Sequence, residues 1–193
     1  MNLDPIYNFA FRGLLTINAL EKTSCTKKQR FTEQEGLGLI ESLGINELDE
    51  ELVKTARKMA IVYTGICAFE NTVRKFISNV LIEAYGENWW NTKVTERIRS
   101  KAETRRAEEN KIRWHQPRGD TSMNYTEFGD LLTIMRNNWT DFEPFIVSLE
   151  WAEQIIKTIE RSRNVIMHSG ELVNQDIERI GMYIRDWIKQ VGA

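Results

Sequence analysis

The chain reads as an all-α helical bundle, and three observations predict it. Apolar residues recur at steps of three and four in one segment after another, the period of a helix with a single buried face. Only three prolines interrupt 193 residues, so long helices can run unbroken. No stretch shows the strict alternation of a half-buried strand. With 41% hydrophobic and 28% charged residues, the composition is that of a globular domain able to bury a sizeable core, not of a disordered chain.

The elements follow in order. Asp4 and Pro5 supply an N-cap and a first-turn proline for a helix carrying Ile6, Phe9, Ala10, Leu14 and Ile17 at helical spacing. A second short helix is predicted from Thr32, with Thr32 and Glu35 spaced as a capping box and Leu37, Ile40 and Leu43 on one face, ending at Gly44. A long helix from about Asp49 to Ala84 has Val62, Ile66, Phe69, Val73, Phe76, Ile77 and Val80 as its stripe and Gly86 as its stop. Trp89 and Trp90 read as a core plug at that helix end rather than a stacking platform. Residues 93–113 form a helix anchored by Val94, Ile98 and Ile112, with most of its surface wet. After the loop HQPRGDTSMN a helix restarts with Phe128, Leu131, Leu132 and Met135 inward. Another begins near Asp141 or Glu143, with Phe145, Leu149, Ala152, Ile156 and Ile159 on its stripe. The last carries Ile177, Ile180, Ile184, Trp187, Ile188 and Val191.

Charge and cysteine usage exclude several classes. The net charge of −2 is not that of a polybasic protein. The charge is nevertheless uneven, with seven acids and no base in residues 32–51 but a local +4 in residues 93–113. Two cysteines, Cys25 and Cys67, are too few for a disulfide framework and fit reduced thiols in the cytoplasm. The N-terminus lacks a basic lead into an apolar run and makes a poor signal peptide. No apolar run approaches the roughly 18 residues of a membrane span, so no membrane partner is expected. Neither a metal-ligand cluster nor a glycine-rich phosphate loop is present, and no metal or cofactor is expected.

One segment stands out: RSRNVIMHSG, residues 161–170, holding one of two histidines. The other, His115, lies in a Pro-Gly loop and reads as solvated. Asn164 and His168 share a helix face at i, i+4. Arg163 lies about 140° from His168 in projection, but its long side chain can curl toward the same space. Val165, Ile166 and Met167 can anchor the turn, and Gly170 reads as the helix stop. His168 then sits in the last turn, where the negative end of the helix dipole favours positive charge. From the residues alone, two readings stand. One is a helix-end histidine capping a carbonyl beside an arginine paired with an acid; the other is an active site.

RNVIMHSG, placed between two C-terminal helices, resembles the signature of the HEPN family (higher eukaryotes and prokaryotes nucleotide-binding domains): arginine, a polar residue, a short spacer, then histidine and a small residue. The similarity extends to YTGICAFENTVRKFI, which resembles the family's first core helix with its glutamate and arginine four apart. YGENWW and YTEFGDLLTIM resemble the Swt-type branch in particular. The resemblance covers residues 52–190, dividing the chain into an N-terminal helical extension of unassigned role over 1–48 and a HEPN-like helical domain over 49–193.

The resemblance implies a dimeric, metal-independent ribonuclease of the kind found as toxins and antiviral-defence effectors, with an antitoxin or defence-system partner. It implies Arg163, Asn164 and His168 as catalytic positions and Glu70, Asn71 and Arg74 as second-tier positions on the facing helix. For Glu70 and Arg74 an ordinary i, i+4 ion pair stays open beside the site role. Arg97, Arg99, Lys101, Arg105 and Arg106 are RNA-binding candidates on the basic helix, or else its solvated face. A catalytically silent module that binds nucleotide, nucleic acid or a partner protein is the alternative function, and a helical dimer with a structural role is the third.

Overall fold

The computed structural model describes residues 32–192, which are all-helical apart from their loops and turns. The helix expected after Asp4 lies outside the described residues. The chain divides into two units after Glu50. In the first, α1 (Glu33–Ser42) starts at the capping box foreseen from its spacing: the Thr32 hydroxyl accepts from Glu35 N–H, and the Glu35 carboxylate accepts from Thr32 N–H at 2.7 Å. A 3-10 turn, Ile45–Glu47, follows Gly44, whose φ of 60° places it in the left-handed region. This helix buries none of its residues.

The second unit is built on α2 (Glu50–Tyr85), 36 residues long. Met59, Ile66, Phe69, Val73, Ile77 and Leu81 are buried along it, and Val62, Phe76 and Val80 flank them. Gly86 ends it at φ 69°, its N–H bonding Ile82 C=O at 2.8 Å. Then come α3 (Trp89–Lys93), α4 (Glu96–Asn110), a 3-10 turn (Ser122–Tyr125), α5 (Phe128–Asn137), α6 (Trp139–Phe142), α7 (Leu149–Met167) and α8 (Asn174–Val191). Trp89 is buried and half-buried Trp90 packs on the core.

The bundle closes on Trp187 of α8. Fully buried, it stacks on Trp151 of α7 at 5.7 Å and meets Phe69 and Phe76 of α2 edge-on at 5.6 and 6.1 Å. Phe128, Leu131, Leu132 and Met135 turn inward from α5, as their spacing predicts.

Three expectations are corrected. The helix placed near Asp141 or Glu143 begins at Leu149 instead. Pro144 separates a four-residue turn of helix from α7, and Ser148 caps α7 by accepting from Trp151 N–H at 3.1 Å. Phe145 is thus 41% exposed, and neighbouring Ile146 is buried in its place. The basic helix stops at Asn110, so Ile112 lies beyond it and is exposed rather than an anchor. Ile188 is 45% exposed, about 80° around α8 from buried Ile180.

Candidate functional site

The RNVIMHSG segment ends α7 in a tightly bonded turn. His168 is the C-cap, with its N–H on Asn164 C=O at 3.1 Å. Ser169 N–H donates to Ile166 C=O at 3.0 Å and Gly170 N–H to Val165 C=O at 2.8 Å. That pair of bonds is the Schellman arrangement, which satisfies the last carbonyls of a helix. The left-handed residue is Ser169, at φ 60°, and not the glycine after it. Gly170 is required for a different reason: a Cβ there would lie 2.7 Å from Val165 Cγ1 and 2.9 Å from Val165 O.

The turn is held by its backbone. Of the three residues expected to anchor it, only Ile166 packs on the core; Val165 and Met167 are 36% and 55% exposed. This leaves Asn164 and His168 in solvent. Both line an open groove of about 560 Å³ along the outer face of α7, with Lys157, Glu160, Arg161 and Val165.

Arg163 does not join them. Its side chain turns inward to α2, where Nε stands 3.7 Å from Glu70 Oε2. That is an ion-pair distance but too long for a hydrogen bond, and this Nε is buried without a hydrogen-bond partner. Glu70 is 8% exposed. Its other oxygen accepts from Arg74 Nη2 at 2.5 Å. Arg74 is more engaged, donating also to Thr126 C=O at 2.9 Å and to Asn71 Oδ1 at 3.1 Å, although its Nε too is buried without a hydrogen-bond partner. One carboxylate therefore serves two guanidinium groups, and Arg163 keeps donor capacity in hand. Glu70, Asn71 and Arg74 come together with Arg163, while Asn164 and His168 stand apart. The expectation that Arg163 curls into the space of His168 is corrected: the offset around the helix points it at an available buried carboxylate.

Glu160 was missed in the sequence. It lines the His168 groove. Burial pushes its carboxyl above the usual range, reinforced by the charges of Glu127 and Glu70 and opposed by Arg163 and by a bond from Gly129 N–H. It belongs electrostatically to both halves of the site. Its only sequence signal is its position three before Arg163 and four before Asn164.

The basic helix also splits. Arg105 is structural: it pairs with Glu127 at 2.7 Å and Asp130 at 3.5 Å and donates to Tyr125 C=O at 2.7 Å, fastening α4 to the start of α5. Arg99 pairs with Glu96 at 2.5 Å and is part-buried. Of the five candidates, Arg97, Lys101 and Arg106 remain exposed. Ala102, next to Ile98 on the inner face, is buried as well. Beyond the helix, Trp114 is 87% exposed beside exposed His115. Among the described residues, no three His, Cys, Asp or Glu side chains group to hold a metal ion, and no helix is long and apolar enough to cross a membrane.

The model of the family described as Swt1-like HEPN matches residues 65–192, a span from the middle of α2 to the end of α8 that includes Glu70, Arg74, Arg163 and His168. The chain belongs to that family, whose helical modules are related to nucleotides and RNA and commonly dimerise. No curated protein and no solved structure matches it.

Proposed function

We propose that the protein is a metal-independent endoribonuclease whose active site is shared across a homodimer, acting in the cytoplasm as a toxin or antiviral-defence effector held in check by a partner protein. The observation that carries this reading is the exposed pair Asn164 and His168 in one groove at the end of α7. RNA cleavage without metal needs a base for the 2′-hydroxyl proton and an acid for the leaving 5′-oxygen. It also needs positive charge where the phosphorane forms. One chain offers a single imidazole at the groove. Two-fold pairing through the C-terminal helices would bring in the second.

One His168 takes the 2′-hydroxyl proton as the 2′-oxygen attacks phosphorus. The other protonates the departing 5′-oxygen, leaving a 2′,3′-cyclic phosphate and a 5′-hydroxyl end. Arg163 turns from Glu70, where it rests, to bring its guanidinium to the phosphorane, and Asn164 holds a non-bridging oxygen. The test is labelled RNA incubated with the protein in EDTA. His168→Ala and Arg163→Ala should each cut cleavage at least roughly a hundredfold, the scale of a general acid–base contribution. Mixed heterodimers of the two variants should recover part of the activity. Loss of cleavage in EDTA with recovery in magnesium would overturn the mechanism.

A second reading, a binding module without turnover, is favoured by one feature: Arg163 faces Glu70 and not the His168 groove. It expects RNA to bind and remain intact.

A further inference from the structure

Two surface features take no part in the site described above. The first is the acidic N-terminal unit, with seven acids and no base in residues 32–51. Glu33, Glu41 and Glu47 are exposed and pair with no cation among the described residues. Leu37, Ile40 and Leu43 fall within an arc of about 120° around α1. Leu37 and Leu43 are 61% and 68% exposed, and Leu48, just past the 3-10 turn, is exposed as well. A ten-residue helix that buries none of its residues is marginal in water by itself. Its last turn holds Glu41 and no base, where the negative end of the helix dipole favours an incoming cation. The family model begins at residue 65 and gives this unit no role.

The second feature is the loop after α4. Ile112 and Trp114 are exposed on it, Trp114 almost completely. Arg106, Lys111 and Arg113 are exposed too, and their side chains pair with no acid among the described residues. The loop is fastened in place. Arg118 pairs with Glu109 of α4 at 2.5 Å and lies over the Tyr125 ring at 5.5 Å, and His115 N–H donates to Ile112 C=O at 3.2 Å. A side chain on a preorganised loop has less entropy to lose on docking, and Trp and Arg are enriched among the residues that anchor protein interfaces.

We propose that the acidic N-terminal unit of one copy docks on the Trp114 loop of a second copy. The two surfaces are complementary in charge, and each carries exposed apolar groups inside its charged set. The α1 leucines receive Trp114 and Ile112, while Glu33, Glu41 and Glu47 meet Arg106, Lys111 and Arg113 at the rim. The contact joins two different surfaces, so it is head-to-tail and closes only where the rotation between copies allows. It uses no residue of α7, α8 or the Glu70 cluster. It is therefore separate from a dimer formed through the C-terminal helices, and it does not rest on the cleavage reading.

The test is sedimentation velocity of the full chain at about 0.1 and about 1 M salt, between which the screening length falls from about 10 to about 3 Å. The wild type should show an association step that weakens at high salt. One variant carries Glu33→Lys, Glu41→Lys and Glu47→Lys; another carries Arg106→Glu, Lys111→Glu and Arg113→Glu. Each alone should lose association at least about tenfold at low salt, the scale of three exposed ion pairs. An equal mixture of the two should recover it, because each reversed surface then meets its opposite on the other chain. Trp114→Ala, a milder change at an exposed position, should weaken association by about tenfold with the charges intact. Circular dichroism checks that the variants keep their helix content. Wild-type chains with no salt-sensitive step would leave both surfaces to other partners and overturn the proposal. So would a charge-reversed chain or Trp114→Ala that associates as wild type does, or a mixture that fails to recover.

Discussion

Gly170→Ala is the sharpest test of how the α7 turn presents His168. At an unhindered position, replacing glycine by alanine stabilises by about 0.4–1 kcal/mol, because it narrows the unfolded ensemble. Here the added Cβ would fall 2.7 Å from Val165 Cγ1 and 2.9 Å from Val165 O. The methyl can rotate away; the carbonyl belongs to the helix and can retreat only if the last turn opens. Opening it breaks the Gly170-to-Val165 bond at 2.8 Å and loosens the Ser169-to-Ile166 bond at 3.0 Å. These are worth about 1 kcal/mol each, with about 1 kcal/mol more for residual crowding. After the entropic gain the net loss is about 2 kcal/mol. For a folding unit of this size that is a fall of about 8 °C in Tm. Differential scanning calorimetry measures it, with Ser169→Gly as the control. Relieving a left-handed serine at φ 60° should leave stability unchanged or raise it by up to about 1 kcal/mol. On the cleavage reading, Gly170→Ala should also lose activity, because displacing a catalytic group by about 1 Å can cost about a hundredfold. A Gly170→Ala protein as stable as wild type would refute the account of the turn.

Three further outcomes are expected. Glu160 has a folded-state carboxyl raised above its ordinary range, so it binds protons more readily folded than unfolded. Its charged form opposes folding at neutral pH, and the opposition fades as pH falls through the raised value. Glu160→Gln should therefore stabilise at pH 7 with the gain shrinking toward pH 4, as read by urea unfolding at both; a pH-independent effect would remove the electrostatic cause. Arg105→Gln leaves Glu127 and Asp130 without their cation and Tyr125 C=O without its donor; it should lower the urea midpoint by the equivalent of about 2 kcal/mol, and a shift below about 0.5 kcal/mol would make Arg105 an ordinary surface residue. Replacing Arg97, Lys101 and Arg106 together with glutamine should barely change stability but flatten the log–log salt dependence of RNA binding by about 2 units, at roughly 0.7 per phosphate contact; an unchanged slope leaves α4 a solvated face.

What the sequence by itself determined was whatever depends on neighbours along the chain. Helical periodicity marked α2 nearly to the residue, since Ile66, Phe69, Val73 and Ile77 repeat at the pitch that buries one face. The Thr32–Glu35 capping box and the left-handed Gly44 and Gly86 were equally legible, each being a local hydrogen-bond or φ requirement. So was the R-N-x-x-x-H segment, together with the upstream segments that carried the family resemblance. The tertiary structure alone decided which charged groups meet. Arg105 was one base among eight in residues 93–113 until α5 brought Glu127 and Asp130 to it. Glu160 was one acid among 28 until it faced Gly129, Glu127 and Glu70. Arg163 could have turned to either side of α7, and the carboxylate of Glu70, 93 positions earlier in the chain, drew it inward. Helical pitch is set within a few residues, whereas a Coulomb interaction acts through space and a buried charge takes whichever partner the packing supplies.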